Sequence, residues 1–281
     1  MGAPEARVRL VRAESERLKH YLHSLPPEAW RQSSACDRWE VRDVVAHLVL
    51  GAEIYAESIS RGLRGDASPP VGRPPVGSFN AASFSEPMAQ TTLARRESLG
   101  DQVLTTFDAT NDQLNHLHAG LGPQDWDKPC YHGAAAFVAP VQTFLDLRMF
   151  ELALHGWDIR SRLEPEAHLS AESLPLLIDL IPQLLGWGFW SGSRLPSLIR
   201  YRFHLTGPGA SHSDLLVAGD TVRMEPVGAE TAHVTFHCDT ETFVLLMLGR
   251  LPLPAALAER RLVAAGEAER VDAFAQWFRG V

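Results

Sequence analysis

The most chemically suggestive stretch of the sequence is RMFELALHGWDIR, residues 148–160, where a carboxylate and an imidazole stand four residues apart. Residues i and i+4 lie one above the other on an α-helix, so Glu151 and His155 would point the same way and Asp158 would continue the line. The surrounding residues are mostly apolar. The pair could be a buried ion pair, two ligands of a metal ion, or part of a solvated stripe.

A third group of suitable chemistry lies about a hundred residues upstream. His47 is one helical turn from Val44 and Gly51, on the apolar stripe that should face the interior of a helical bundle. Two imidazoles and a carboxylate would leave a tetrahedral Zn²⁺ with an open fourth position, as in catalytic zinc sites. Ni²⁺, Mn²⁺ or Fe²⁺ would accept the same ligands. Spacing alone, however, favours an ion pair between Glu151 and His155.

The composition is that of an ordinary globular protein. The chain has 281 residues, long enough for two domains. Its net charge is −8 and it has no block of basic residues, which argues against nucleic acid as a partner. No apolar run approaches the roughly 20 residues that span a bilayer, and the N-terminal residues lack the apolar segment of a signal peptide. We therefore expect a cytoplasmic protein with neither nucleic-acid nor membrane partners.

The cysteines and lysines add two further indications. Cys36, Cys130 and Cys238 are far apart in the sequence and form no C-x-x-C motif, which fits a reducing compartment and predicts neither a disulfide nor a thiolate metal site. We interpret Cys36 as an inert small apolar residue. Only Lys19 and Lys128 are lysines among 26 basic residues, a bias that indicates a GC-rich genome.

The first half of the chain predicts four amphipathic helices. Their approximate ranges are 4–25, 40–63, 90–119 and 140–162. Between the second and third lies a Pro/Gly/Ser-rich excursion, residues 64–88, which is too long for a simple connection and is typical of a lid, a binding loop or a disordered segment. Four such helices with one long crossover indicate a four-helix bundle.

The second half mixes a few helices with segments of period-2 alternation. A helix over 171–187 precedes strand-like runs that begin with IRYRFHLTG, and Ala218-Gly219-Asp220 predicts a hairpin turn. Asp239 or Thr240 is suited to the N-cap of a following helix. This pattern indicates an α+β domain with an antiparallel-rich sheet.

The predicted fold class is therefore mixed, a four-helix bundle followed by a smaller α+β domain. We place the first domain at residues 1–165 and the second at residues 166–281.

Two segments of the first half, DRWEVRDVVAHLVL and ELALHGWDIR, resemble the mycothiol-dependent maleylpyruvate isomerase family, whose DinB-like bundles share a three-ligand metal site. The resemblance implies that His47, Glu151 and His155 are the metal ligands. Glu40 departs from the family pattern, which has Ser or Thr after the tryptophan. The matching positions are Trp39, Asp43, Ala46-His47-Leu48, Glu151, His155 and Asp158.

The second half is similar to the family's sterol-carrier-like C-terminal domain. The resemblance rests on FVLLMLGR, which ends at Arg250, and on LVAAGEAERVDAFAQWF. It implies that Arg250 reaches the active site, where a cation could hold a carboxylate of the substrate. The alternative is that Arg250 only interacts with the dipole of its own helix.

The resemblance implies a divalent metal, with Zn²⁺ first, and mycothiol as the thiol cofactor. A free thiol has a pKa near 8.5, and coordination to the metal would deprotonate it. The thiolate would add to a small electrophilic substrate, which could carry a carboxylate, and the enzyme would act as an isomerase or an S-transferase. Asp158 would hold the imidazole of His155 in its tautomer. The protein would be a monomer or a homodimer.

Two other functions remain open on the same residues. A metal-dependent hydrolase or transferase without a thiol would use the same three ligands. A non-catalytic binding protein would hold an apolar ligand in the sterol-carrier-like half.

Other histidines and aromatic residues give weaker indications. His132 could border the pocket. His233 and His237 share a strand face, but about 13 Å separates them, too far to chelate one ion. We interpret Tyr55 and Trp157 as packing residues.

Overall fold

A computed structural model describes residues 4–36, 38–78, 85–164, 166–189 and 197–278. The chain divides into two compact units, Met1–His168 and Leu169–Val281. Part of the predicted excursion, residues 79–84, lies outside the described residues. Among the described helices, none has the length and apolar character needed to cross a membrane.

The first unit is a helical bundle, as the sequence predicts. Helices α1, α2, α4 and α5 pack on one another, and α3 packs mainly on α2. A short antiparallel hairpin of strands β1 and β2 leads into α5. The elements are α1 (Pro4–Ser24), α2 (Val41–Leu63), α3 (Ser85–Leu99), α4 (Val103–Ala119), β1 (Pro129–His132), β2 (Phe137–Pro140) and α5 (Val141–Leu163).

Two details of the first unit differ from the sequence-based expectation. The predicted third helix, residues 90–119, is two helices, because Gly100 adopts a left-handed conformation with φ of 51° and ends α3. The hairpin before α5 was not predicted. Its turn contains a second left-handed residue, Ala136 with φ of 49°, and neither short strand shows a clear alternating pattern in the sequence.

The two helices that carry the predicted ligands are anchored at their starts. Glu40 is the N-cap of α2, and the carboxylate of Asp43 accepts a hydrogen bond from its backbone N–H at 2.9 Å. This hydrogen bond satisfies a backbone N–H at the start of α2, at the position where the family pattern has Ser or Thr. At α5, the backbone N–H of Val141 donates to the carbonyl of Lys128. Helix α5 is then buried over most of its circumference.

The second unit is an α+β fold with a mostly antiparallel sheet, which confirms the predicted class. The strand order is β5-β4-β3-β6-β7, and only β3 and β6 are parallel. Asp239 caps the helix after β6 by accepting from the backbone N–H of Thr242 at 2.6 Å. The elements are α6 (Leu174–Gly188), β3 (Ile199–Thr206), β4 (His212–Ala218), β5 (Thr221–Pro226), β6 (Val234–Asp239), α7 (Thr240–Met247), α8 (Leu253–Ala258), β7 (Leu262–Gly266) and α9 (Ala268–Trp277).

An aromatic cluster forms the core between this sheet and its helices. Tyr201, Phe203 and Phe236 project from the inner face of the sheet, where their rings contact Phe274 of α9. Phe243 of α7 packs on Phe203. Because side chains alternate along a strand, the residues between these positions project from the opposite, outer face.

Candidate metal centre

The three predicted ligands meet between α2 and α5. Nε2 of His47 lies 3.0 Å from Oε2 of Glu151, and Nε2 of His155 lies 3.4 Å from the same oxygen. The two imidazole rings are nearly perpendicular, with centroids 4.9 Å apart. One donor atom from each residue lies within 4.8 Å of the others. The fold therefore brings together two helical stripes that are about a hundred residues apart in the sequence.

The cluster is largely buried but remains in contact with solvent. The side chains of His47, Glu151 and His155 are 14%, 17% and 10% exposed. The ring of Trp39, in the matching motif before α2, lies 5.2 Å from the ring of His47. A small solute can reach a cluster with this exposure without unfolding of the bundle.

The far nitrogen of each imidazole has a buried polar partner. Nδ1 of His155 lies 2.9 Å from Oδ2 of Asp158, and Nδ1 of His47 lies 3.4 Å from Oγ1 of Thr92. Asp158 and Thr92 are both fully buried. A proton on Nδ1 of His155, donated to Asp158, orients the ring so that Nε2 faces Glu151. Thr92 belongs to α3 and was not predicted from the sequence, because no pattern links that helix to His47.

Cys36 lies in the same network, contrary to its interpretation as an inert apolar residue. Its Sγ is 2.9 Å from Oδ2 of Asp158 and 3.5 Å from Nδ1 of His155. The backbone N–H of the preceding Ala35 donates to the carbonyl of Asp158 at 2.8 Å. Asp158 thus fixes the segment before α2 through both its main chain and its side chain. The sequence could not show this contact, because it depends on how that segment packs on α5.

The charges of the cluster are mutually stabilising. Burial raises the pKa of Glu151, but the neighbouring imidazoles of His47 and His155 outweigh burial and hold that pKa well below its usual range. Burial lowers the pKa of His155, yet Cys36, Asp158 and Glu151 together raise it well above its ordinary value. Glu151 is therefore an anion between two basic nitrogens.

Two further buried side chains surround Glu151. Arg148 is 1% exposed and donates to the carbonyl of Leu48 at 3.0 Å and to Oδ1 of Asn111 at 2.7 Å. Burial lowers the pKa of Arg148 to about 10, while Glu151 acts in the opposite direction. Tyr55 interacts with Glu151 through a hydrogen bond, and burial together with this carboxylate raises the pKa of Tyr55 well above 10. Tyr55 is thus a polar neighbour of the cluster as well as a packing residue.

The donor set fits a divalent transition metal. Zn²⁺, and also Ni²⁺, Mn²⁺ or Fe²⁺, accept two imidazole nitrogens and a carboxylate oxygen. An ion pair would need only the contacts of Glu151 with His47 and His155. The additional partners on both Nδ1 atoms, Asp158 and Thr92, are the arrangement typical of metal-bound imidazoles.

His132 and Trp157 lie in packed surroundings. The ring of His132 stacks on Phe137 and Phe144 and contacts Tyr55, and its Nδ1 accepts from the backbone N–H of Ala135 at 3.0 Å. Burial lowers the pKa of His132 to about 4, so this imidazole is neutral. Its role at a pocket border stays a prediction. Trp157 donates to the carbonyl of Ala167 at 3.1 Å.

The other predicted site residue, Arg250, belongs to the second unit. It follows α7, and its Nη1 donates to the carbonyl of Leu248 at 3.0 Å. Its predicted role in holding a substrate carboxylate remains a proposal.

Comparison with known proteins gives two family matches. Residues 11–160 match the mycothiol maleylpyruvate isomerase N-terminal domain, and residues 195–279 match the SCP-2 sterol transfer family. The first match spans the whole candidate metal centre. No match was found among curated proteins.

Solved structures with a similar fold include two of the mycothiol-dependent maleylpyruvate isomerase. A histidine-to-alanine mutant of that enzyme superposes with a TM-score of 0.63 at 14% identity, and the alignment covers 95% of each chain. A second structure of the enzyme gives 0.61 at 15% identity, with 89% of this chain and 90% of the other covered. Together with the family match over the bundle, this places the chain in the mycothiol maleylpyruvate isomerase family, with a C-terminal domain of the SCP-2 type.

Proposed function

We propose that the protein is a metal- and thiol-dependent enzyme, an isomerase or S-transferase that acts on a small electrophilic substrate with mycothiol or a similar thiol as cofactor. The convergence of His47, Glu151 and His155 carries the proposal, since it brings together the three side chains that the resemblance to the family implies as metal ligands. The family match supports the thiol and the isomerase activity.

His47, Glu151 and His155 would hold a divalent ion, which would lower the pKa of a bound thiol so that the thiol loses its proton at neutral pH. Such a thiolate would isomerise a conjugated double bond by addition, rotation and elimination, or would conjugate an electrophile by addition followed by protonation of the adduct. The protein's contribution is to hold the donors in place. Asp158 and Thr92 orient the two imidazoles through Nδ1, so both Nε2 atoms face the carboxylate of Glu151. Glu151 balances part of the ion's charge inside a largely buried site.

Arg250 is the proposed contact for a substrate carboxylate. A guanidinium binds a carboxylate through two parallel hydrogen bonds, which both positions and selects the substrate. Replacement by lysine keeps the charge but loses this fork, so Arg250→Lys should raise KM more than it lowers kcat. An unchanged KM would contradict this role of Arg250.

Metal analysis of the purified protein is the first test. We expect one equivalent of a divalent transition metal, lost in His155→Ala and retained in His116→Ala, which removes an exposed histidine of α4. Circular dichroism of both variants separates metal loss from unfolding. A folded wild-type protein that binds no Zn²⁺, Ni²⁺, Mn²⁺ or Fe²⁺ would contradict the proposal.

Activity then tests the thiol requirement. With maleylpyruvate and mycothiol, we expect isomerisation that requires both the metal and the thiol. A panel of other small electrophiles, followed by mass spectrometry of thiol conjugates, identifies the S-transferase alternative. Turnover that needs the metal but proceeds without thiol would instead indicate a hydrolase or transferase of another kind.

A further inference from the structure

Three histidines of the second unit form a row across the outer face of its sheet. His204 on β3 is paired with His212 on β4 and with His237 on β6. The register of both strand pairs is set by the backbone, so the three Cα atoms lie in one line across adjacent strands. The sequence separates these residues by up to 33 positions, and only the strand order β4-β3-β6 makes them neighbours.

The rings of the row are in contact. The ring centroids of His204 and His212 are 4.6 Å apart, and those of His204 and His237 are 4.8 Å apart with nearly parallel planes. His212 and His237 are exposed, and His204 is half-buried between them. The pairing of β4 with β5 begins at Ser213, so the side of His212 away from β3 has no paired strand. The row is therefore open to solvent.

The surroundings keep the row free of a strong positive field. The guanidiniums of Arg200 and Arg202 lie on the same face, and both are bound by the buried carboxylate of Asp214. Glu225 and Glu230 also pair with Arg200, and Arg223 on the same face pairs with Glu225. Three carboxylates thus balance these three cations.

The central imidazole of the row, that of His204, also resists protonation. Burial lowers the pKa of His204, and His212, His237 and Arg202 lower it further, while Asp214 acts in the opposite direction. A neutral imidazole is the form that binds transition metals.

We propose that His204, His212 and His237 form a surface site for a divalent transition-metal ion, separate from the candidate centre in the bundle. Three imidazole nitrogen donors without sulfur suit Cu²⁺, Ni²⁺ and Zn²⁺, and the Irving–Williams order places Cu²⁺ first.

His204 is the central ligand of this site. Imidazole nitrogens bind such ions at about 2.0–2.1 Å, so directly paired histidines can chelate one ion together. The outer two histidines are two strand spacings apart, roughly 9.6 Å, and reach a shared ion only by rotating toward His204. Because His212 and His237 are exposed, their side chains are free to make this rotation.

Paramagnetic broadening by Cu²⁺ tests the site directly. In the full-length protein whose bundle centre has first been loaded with Zn²⁺, less than one equivalent of Cu²⁺ should broaden the imidazole NMR signals of His204, His212 and His237, while the signal of exposed His116 stays sharp. Broadening of other histidines with the row left unaffected would overturn the proposal.

Graded variants test the arrangement. By calorimetry with Cu²⁺, His204→Asn should abolish the binding step of the row, whereas His212→Asn leaves one pair and should weaken it about tenfold, which corresponds to about 1.4 kcal/mol. His116→Asn should change nothing. Thermal unfolding shows that each variant is folded, and bundle-bound metal should be retained in His204→Asn. Equal effects of His204→Asn and His116→Asn would refute the site.

Discussion

Histidines are used differently in the two units of the molecule. In the bundle, His47 and His155 are largely buried and face a shared carboxylate, and each has a buried partner on its second nitrogen. On the sheet, His204, His212 and His237 lie side by side, two of them exposed, with rings that contact mainly one another.

The difference shows how a metal site whose ligands are held in place by the fold differs from a group of donors that must become ordered when an ion binds. In the bundle, helices fix the ligands and the second partners fix the ring orientations, so an ion that displaces the proton from Nε2 of His155 would find both Nε2 atoms already facing Glu151. On the sheet, backbone register alone sets the spacing, and exposed side chains must lose rotamer freedom on binding. We therefore expect tight, selective binding in the bundle and weaker binding on the sheet that follows the general affinity order of the metals.

The largest effect should follow from removing the negative ligand of the bundle. Glu151→Gln keeps the shape of the side chain but leaves the ion with neutral donors in a largely buried place. Loss of one partner from a buried charge pair costs about 3–5 kcal/mol, so metal affinity should fall about 100-fold or more. Competition with a chelator measures the change.

Glu53→Gln is the matched control for this prediction. Glu53 lies on α2 and pairs with Arg95, away from the cluster. Equal affinities of the Glu151→Gln and wild-type proteins would remove Glu151 from the ligand set.

A smaller loss should follow from Asp158→Asn. The amide can still contact Nδ1 of His155 but no longer favours a proton there, and loss of such an outer partner typically lowers metal affinity 10–100-fold. Asp112→Asn, which removes an exposed carboxylate paired with Lys19, should leave affinity unchanged. If both variants bind metal equally well, the contact between Asp158 and His155 has no role in binding.

The buried residue His118 should affect the stability of the protein and not its metal binding. Neither ring nitrogen of His118 has a hydrogen-bond partner in the part of the chain that the structure describes, and burial, aided by Arg148, lowers its pKa to about 3. Below pH 6.5 the unfolded chain binds a proton that the folded protein does not, so stability falls as the pH falls. From pH 6.5 to 5 this amounts to about 2 kcal/mol.

His118→Leu should remove this part of the acid sensitivity. Urea unfolding at pH 7 and pH 5 measures it, and His116→Leu on the same helix controls for the added apolar side chain. The hypothesis fails if wild type and His118→Leu lose the same free energy of unfolding between the two pH values.

The smallest effect should come from the sheet. His204→Asn changes a partly exposed polar residue and leaves the backbone pairing intact, so the free energy of unfolding without metal should change by less than about 0.5 kcal/mol. Denaturant unfolding in the presence of a chelator checks this. A loss above 2 kcal/mol would mean that the row stabilises the sheet itself.

The local sequence pattern was sufficient to predict the parts of the molecule that depend on helical or strand periodicity. Helical periodicity was enough to place Glu151 and His155 on one face of an apolar helix and His47 on the apolar stripe of the amphipathic helix α2. Asp239 as an N-cap and the hairpin at Gly219 could be predicted from turn and cap chemistry in the same way.

The rest depended on tertiary contacts. Thr92 and Cys36 reach the cluster from segments whose packing no periodicity specifies. Sequence spacing relates His237 only to His233 of the same segment as a possible partner for a metal ion. In the fold, the ring next to His237 is that of His204 on another strand. The break at Gly100 was missed because the apolar spacing continues across it.

The contacts of Asp158 have a further consequence for the energetics of assembly. In an unfolded chain, bringing His47 and Glu151 together would require closing a loop of 104 residues, at an entropic cost of about 4 kcal/mol. The packing of the bundle meets that cost during folding, before any ion arrives, and Asp158 takes part by holding Ala35 and Cys36 against the helix of His155. The binding energy of an ion is then available for affinity and for activation of its other ligands.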